Sequence, residues 1–170
     1  MPTRESLGAP TPEGYSPMVV TLRPAEPSDS ATIASCVCEA YIHYIERIGK
    51  QPGPMLENYL DVIRDSLVHV AVDDTDRVVG AIVMQETPEG FYVDNAAARP
   101  QVWGQGIGRT LLQFAEREAL RRGYRSICLA THELMWENRA LYEKVGYVQY
   151  DQRVVDGYPR VFLRKALGAD

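Results

Sequence analysis

Cysteine and histidine are scarce in this chain, three of each in 170 residues. Cys36, Cys38 and Cys128 are an odd count with no paired metal spacing, and Cys36 and Cys38, two apart in a predicted helix, point to different faces. They read as packing residues. His43, His69 and His132 form no His-x-x-x-His pair, so no metal site is expected. No apolar run approaches the roughly 20 residues that a bilayer-spanning helix needs, so no membrane partner is expected. The first residues also lack the continuous apolar segment of a signal peptide, and the expected location is cytoplasmic. An excess of positive charge is missing too: 18 Lys and Arg stand against 23 Asp and Glu, a formal net charge of -5. Such a field does not gather nucleic acid, which is not expected as a partner.

What is present is an ordinary globular composition, 45% apolar and 24% charged, in a length that suits one domain with a substantial core. Residues 1–17 hold four prolines and little apolar content and are predicted to be a flexible tail ahead of a domain over 18–167. Met18–Arg23 reads as a strand stopped by Pro24. Apolar spacing from Ile33 to about Ile45, preceded by Ser28-Asp29-Ser30 caps, predicts a helix. Gly49–Pro54 breaks it, and Met55–Ser66 predicts a second. Leu67–Val72 and Val78–Gln85 flank a polar turn as a hairpin, and Phe91–Ala98 follows as a further strand. Ile107, Leu111, Leu112, Ala115 and Ala119 share one face of a helix that Gly123 ends. Ser126–Ala130 predicts a strand, Asn138–Val145 a helix, and Tyr147–Val155 with Arg160–Lys165 a closing hairpin. The expected class is α/β with a mixed sheet and the order β-α-α-β-β-β-α-β-α-β-β.

The stretch Gln101-Val-Trp103-Gly104-Gln105-Gly106-Ile107-Gly108-Arg109 removes side chains from a helix entrance, then places a cation where the helix dipole disfavours one. Alternate glycines let the backbone approach a ligand, free N–H groups at a helix start bind anions, and Arg109 supplies a further donor. A phosphate is the natural occupant. A P-loop would need Gly-Lys-Ser/Thr, and a dinucleotide fingerprint would need Gly-x-Gly-x-x-Gly in an early βαβ unit; neither pattern is here.

Gln101-x-x-Gly104-x-Gly106, after a strand and before a helix, resembles the acetyl-CoA pyrophosphate loop of the GNAT family of N-acetyltransferases. A second segment, Asn138-Arg-Ala-Leu-Tyr142-Glu-Lys-Val-Gly146-Tyr147, resembles the family's later motif, and the element order is also the family's. The resemblance implies a GNAT fold whose strands splay at an acetyl-CoA site. It implies cofactor contacts from Ala96, Ala97, Ala98, Gln101, Trp103, Gly104, Gln105, Gly106, Ile107, Gly108, Arg109, Asn138 and Tyr142. It further implies acetyl transfer to a primary amine with Tyr142 as general acid.

Asp94 ranks first as base, ahead of Glu86, Glu89 and His132, with a water relay as the alternative. The Gly/Pro-rich connector and its flanks, with Tyr41, His43, Tyr44 and Tyr59, offer aromatic groups suited to a cationic amine and are predicted to bind substrate. The expected partner is a small-molecule amine, with room for a homodimer. A non-catalytic acyl-CoA-binding module, or acetylation of a protein N-terminus or lysine, remains open at this point.

Overall fold

The computed structural model describes residues 18–168, so the expected tail over residues 1–17 lies outside the described residues. Seven strands form one sheet in the order β1-β2-β3-β4-β5-β7-β6. Their ranges are β1 Thr21–Pro24, β2 Leu67–Val72, β3 Val78–Thr87, β4 Gly90–Ala98, β5 Ser126–His132, β6 Val148–Val155 and β7 Tyr158–Ala166. All neighbours pair antiparallel except β4 and β5, which run parallel. The helices are α1 Ser30–Tyr41, α2 Tyr44–Ile48, α3 Tyr59–Asp65, α4 Ile107–Arg121 and α5 Trp136–Lys144.

Strand β3 is buried from Val78 to Met84 because both sheet faces are covered there. Ile82 and Met84 join the core with the apolar stripe of α4, all five predicted residues of which are buried. Ala81 and Val83 join Ile33 and Val37 of α1 on the other face. Gly80 marks the tightest contact: a Cβ there would lie 3.2 Å from Ile107 Cγ2 and 3.1 Å from the Ala97 carbonyl oxygen. Backbone proximity to α4 therefore depends on the missing side chain.

Four boundaries differ from expectation, each for a local reason. Strand β1 starts three residues later than Met18 and includes Pro24; at the sheet edge, a proline's missing donor costs no ladder bond. The first predicted helix is two helices. At Ile42–His43 the ladder tightens, Ile45 N–H donating to Ile42 at 3.2 Å, and α2 then turns Tyr44 inward. The second predicted helix shrinks to α3, because Asn58 caps it by accepting from the N–H groups of Leu60 at 3.1 Å and Asp61 at 3.3 Å. Helix α5 begins at Trp136 behind Met135, so Asn138 lies within its first turn and does not cap it.

Candidate active site

The site arises where two parallel strands part. Ladder partners of β4 and β5 run only from Phe91 with Ile127 to Val93 with Leu129. At that point β4 carries a bulge, since Val83 pairs with Asn95 and Met84 with Val93, leaving Asp94 as the extra residue. Beyond it, β4 follows β3 as far as Ala98 opposite Gly80, while β5 follows β7 as far as His132 opposite Arg160. The two strands thus open as a V. Backbone groups of β4 that would bond β5 are released into the gap. Tyr41 Oη lies 3.4 Å from the Ala96 carbonyl, and Trp103 Nε1 donates to the Ala98 carbonyl at 2.8 Å, so these two carbonyls point away from β3.

On one side of the V lies a cleft of about 600 Å³. Ala96, Ala97 and Ala98 form one wall, Gly104 and Gly106 to Arg109 the head, and Asn138, Leu141 and Tyr142 of α5 the other wall. Gly104 and Gly106 have φ of +79° and +80°, and a Cβ on either would meet nothing within 4 Å. Both facts fit a loop that curls its backbone toward open space. Gly106 is the N-cap of α4 and has no side chain to accept from the first-turn N–H groups, so these remain free for a ligand. Gly108 has another reason. A Cβ there would stand 3.3 Å from Leu141 Cδ2, so this glycine lets α5 approach α4. Arg109 and Lys144 line the same cleft and make its mouth cationic. Gln101 and Gln105 do not line it; Gln101 sits exposed in the single turn Pro100–Val102.

On the other side lies a second cleft, of about 550 Å³, lined among others by Glu57, Tyr59, Tyr92, Asp94, Arg153 and Arg160. Between the two, inside the V, is a waist of about 30 Å³. Tyr41, Ala96, Asn138 and Tyr142 belong to both the waist and the first cleft, whereas Asp94, Asn95, Ala130, Tyr158 and Arg160 belong to both the waist and the second. The waist has room for about two waters.

Asp94 is exposed, yet it borders this passage among Pro54, Asn95 and Ala130. That crowding, with Glu57 as a like charge, pushes its carboxyl up to about 6 against a smaller opposing pull from Arg160. Tyr142 is 7% exposed, and burial pushes its phenol up to about 12. His132 is buried, and its Nδ1 accepts the Leu134 N–H at 3.1 Å. Desolvation lowers its pKa, so it stands neutral at pH 7 with its proton on Nε2. Glu86 accepts from Arg122 at 3.2 Å and Glu89 is exposed in the β3–β4 turn; neither lines the passage.

The aromatic residues expected around substrate are divided between the two clefts. Tyr59 lines the second cleft, and its hydroxyl donates to the Pro54 carbonyl at 2.7 Å while accepting from Asn95 Nδ2 at 3.2 Å. Tyr41 donates to Asn95 Oδ1 at 2.8 Å. Buried Asn95 thereby locks the bulge beside Asp94 to α1 and α3. His43 and Tyr44 lie on the glycine-loop side, with His43 edge-on to Trp103 at 5.3 Å between ring centroids. Tyr44 donates to Glu137 at 3.2 Å, and Arg47 holds that carboxyl down at about 2. The sequence reading did not single out Asn95, Glu57, Lys144 or Arg160, whose roles depend on contacts across distant segments.

The connector between α2 and α3 is tied to the last hairpin. Tyr158 Oη donates to the Gln51 carbonyl at 2.6 Å and Lys50 Nζ to the Gly157 carbonyl at 3.1 Å.

A glycine-loop helix entrance facing a parallel strand pair that parts above a bulge defines an α/β fold of acyltransferase type. Residues 64–149, which include the parting strands and both motifs, match the acetyltransferase (GNAT) domain model. The chain belongs to that family. Among solved structures, PaiA N-acetyltransferase from Thermoplasma acidophilum in complex with coenzyme A has a TM-score of 0.75 at 20% identity, over 88% of this chain and 99% of that one. A GNAT family acetyltransferase from Elizabethkingia anophelis with acetyl-CoA bound has 0.66 at 17%, over 87% and 98%. Nourseothricin acetyltransferase has 0.67 at 17%, over 88% and 99%. These likenesses concern the fold. No curated protein matches the chain by sequence.

Proposed function

We propose that the protein transfers acetyl from acetyl-CoA to the primary amine of a small molecule, by direct attack within a ternary complex. One observation carries the reading: two clefts on opposite sides of the parted strands meet at a waist bordered by Tyr142 on one side and Asp94 on the other. The pinned connector, which contributes Gly53 and Pro54 to the second cleft, favours a small acceptor over a folded protein surface.

Each residue then has a task that its surroundings support. Free N–H groups at Ile107 to Arg109, together with the Arg109 and Lys144 cations, suit the pyrophosphate of acetyl-CoA. The Ala96 and Ala98 carbonyls, the one near the Tyr41 hydroxyl and the other an acceptor for Trp103, mark an open strand edge for the amides of the pantetheine arm. Acetyl-CoA supplies the activated carbonyl, and the amine attacks it at the waist. A carboxylate whose pKa is about 6 is ionised at neutral pH and still basic enough to take a proton from the amine, directly or through a water in the waist. A phenol at about 12 stays protonated across the working range. Because a simple thiol has a pKa near 8.5, Tyr142 stabilises the departing sulfur chiefly as a hydrogen-bond donor.

A panel of small amines and of peptides, followed by thiol release from acetyl-CoA, tests the proposal. Acetylation of small amines is expected. Coenzyme A binding without turnover on any acceptor would leave only a binding module.

A further inference from the structure

Arg160 is a cation without an anion. It lies on β7 in the wall of the second cleft and of the waist, and its Nε is buried with no hydrogen-bond partner. One ladder neighbour makes matters worse, Arg153 opposite on β6, while neutral His132 opposite on β5 offers no counter-charge. Like charges directly across a strand pair are destabilising. Arg153 is relieved by Asp151 at 2.9 Å, and Lys50, on the adjoining connector, by the Gly157 carbonyl at 3.1 Å. Arg160 has no such partner among the described residues; an aromatic face, Tyr158, lies 5.7 Å from its guanidinium carbon. The connector closes over it so tightly that a Cβ on Gly53 would come within 3.1 Å of its terminal nitrogen. Arg160 is half-buried as a whole, but keeping its Nε–H from water without an acceptor is costly, and such costs persist where a ligand relieves them.

The acidic groups facing this cation are Asp94 from β4, Glu57 from the connector and Asp156 from the last turn, and none forms an ion pair with it. We propose that the acceptor amine also carries a carboxylate, held by Arg160 while its amino group faces Asp94. A guanidinium fork matches a carboxylate in plane, and Asp94 with Glu57 repels a carboxylate but attracts an ammonium. Opposite charges on one wall therefore set the direction in which such a zwitterion enters. The acceptor class is an amino acid or a close analogue. This rests on the acetyl-transfer reading for turnover, but the carboxylate site itself does not.

Two measurements on the full chain separate those claims. The twenty common amino acids, their amides and their decarboxylated amines are compared by thiol release with acetyl-CoA, and by calorimetry on protein saturated with coenzyme A. A charged hydrogen-bond pair predicts that the best amino acid exceeds its own amide by about 10–100-fold in kcat/KM and in affinity. In Arg160→Met that ratio should fall toward one, and in Arg160→Lys it should be intermediate. Because the substitution removes an unpartnered buried N–H, the melting temperature of Arg160→Met should not drop. Preference for amines lacking a carboxylate, an equal loss on acid and amide in Arg160→Met, or no discrimination in wild-type calorimetry overturns the proposal. Tight amino-acid binding without thiol release would uphold the carboxylate site and overturn the transfer reading.

Discussion

Three glycines at alternate positions look alike in the sequence, and the structure gives them different physics. Gly104 and Gly106 need positive φ beneath open space, whereas Gly108 needs room for Leu141. Gly106→Val should therefore abolish acetyl-CoA binding, through a strained backbone and a side chain projecting into the cleft. Arg109→Ala should weaken it by about 1.5–3 kcal/mol, the loss of a charge-assisted hydrogen bond. Calorimetry with coenzyme A on variants that keep the wild-type circular dichroism checks both, and unchanged affinity would remove the loop from the site. Tyr142→Phe keeps the buried ring and loses the donor. The maximal rate should fall by about 10²-fold, the lower end for acid catalysis, while acetyl-CoA affinity moves far less. A rate within about twofold of wild type, with chemistry limiting, would make Tyr142 a packing residue.

Asp94 allows a prediction with a sign in two observables. In wild type, kcat/KM should rise with pH through about 6 as the carboxyl ionises, and Asp94→Asn should lose that limb along with most of its activity. For stability, a carboxyl whose folded pKa is raised holds its proton more tightly in the native state. Its ionisation thus erodes stability as pH rises from the unfolded value near 3.9 toward about 6. Asp94→Asn should accordingly melt slightly higher than wild type at pH 7.5, the effect kept small by solvent screening at this exposed residue, with the difference fading by pH 4. Equal melting temperatures at both values would show that the carboxyl is not held unfavourably.

Among elements, the legible ones were those whose periodicity is long and whose stops are unambiguous. Helix α4 shows this best, since its apolar stripe and Gly123 are local signals. Strands β2 and β3 were legible as β-branched runs around a turn. The break at Ile42–His43 was not, because the spacing of apolar residues continues through it and only the inward demand of Tyr44 reveals it. The same break explains why the expected aromatic cluster was divided: it sends His43 and Tyr44 to the glycine loop, while Tyr59 stays on the far side. His43→Ala should then raise the KM for acetyl-CoA more than that for the amine, and steady-state kinetics with each reactant varied in turn would show it. A larger effect on the amine would return His43 to the acceptor pocket. Helix α3 depends on Asn58, a cap that is obvious only afterwards, and Asn58→Ala should cost about 1 kcal/mol in chemical denaturation.

At the scale of the whole molecule, the glycine-loop cleft was legible and the second cleft was not. Glycines and an arginine at a helix entrance are contiguous in sequence, so their chemistry can be read from one window. The second cleft is assembled from the connector, β4 and β7, and Arg160 gains its meaning from the absence of a partner, which no local pattern records. Within the described residues no helix is long and apolar enough to cross a membrane, and no cluster of side chains suits a metal ion.

The passage between the parted strands is open at both ends, one cleft leading in past the glycine loop and the other past the connector and β7. Neither entrance lies behind the other. Under the acetyl-transfer proposal, an acetylated product would therefore depart while spent coenzyme A is still seated, and a fresh amine would arrive before the nucleotide exchanges. The order of arrival becomes a matter of concentration instead of geometry. Initial-rate lines should intersect for both varied reactants, and each product should inhibit competitively against its own reactant alone. A single molecule joining coenzyme A to an amine through a short spacer would thread both doorways at once, and should bind far more tightly than either half.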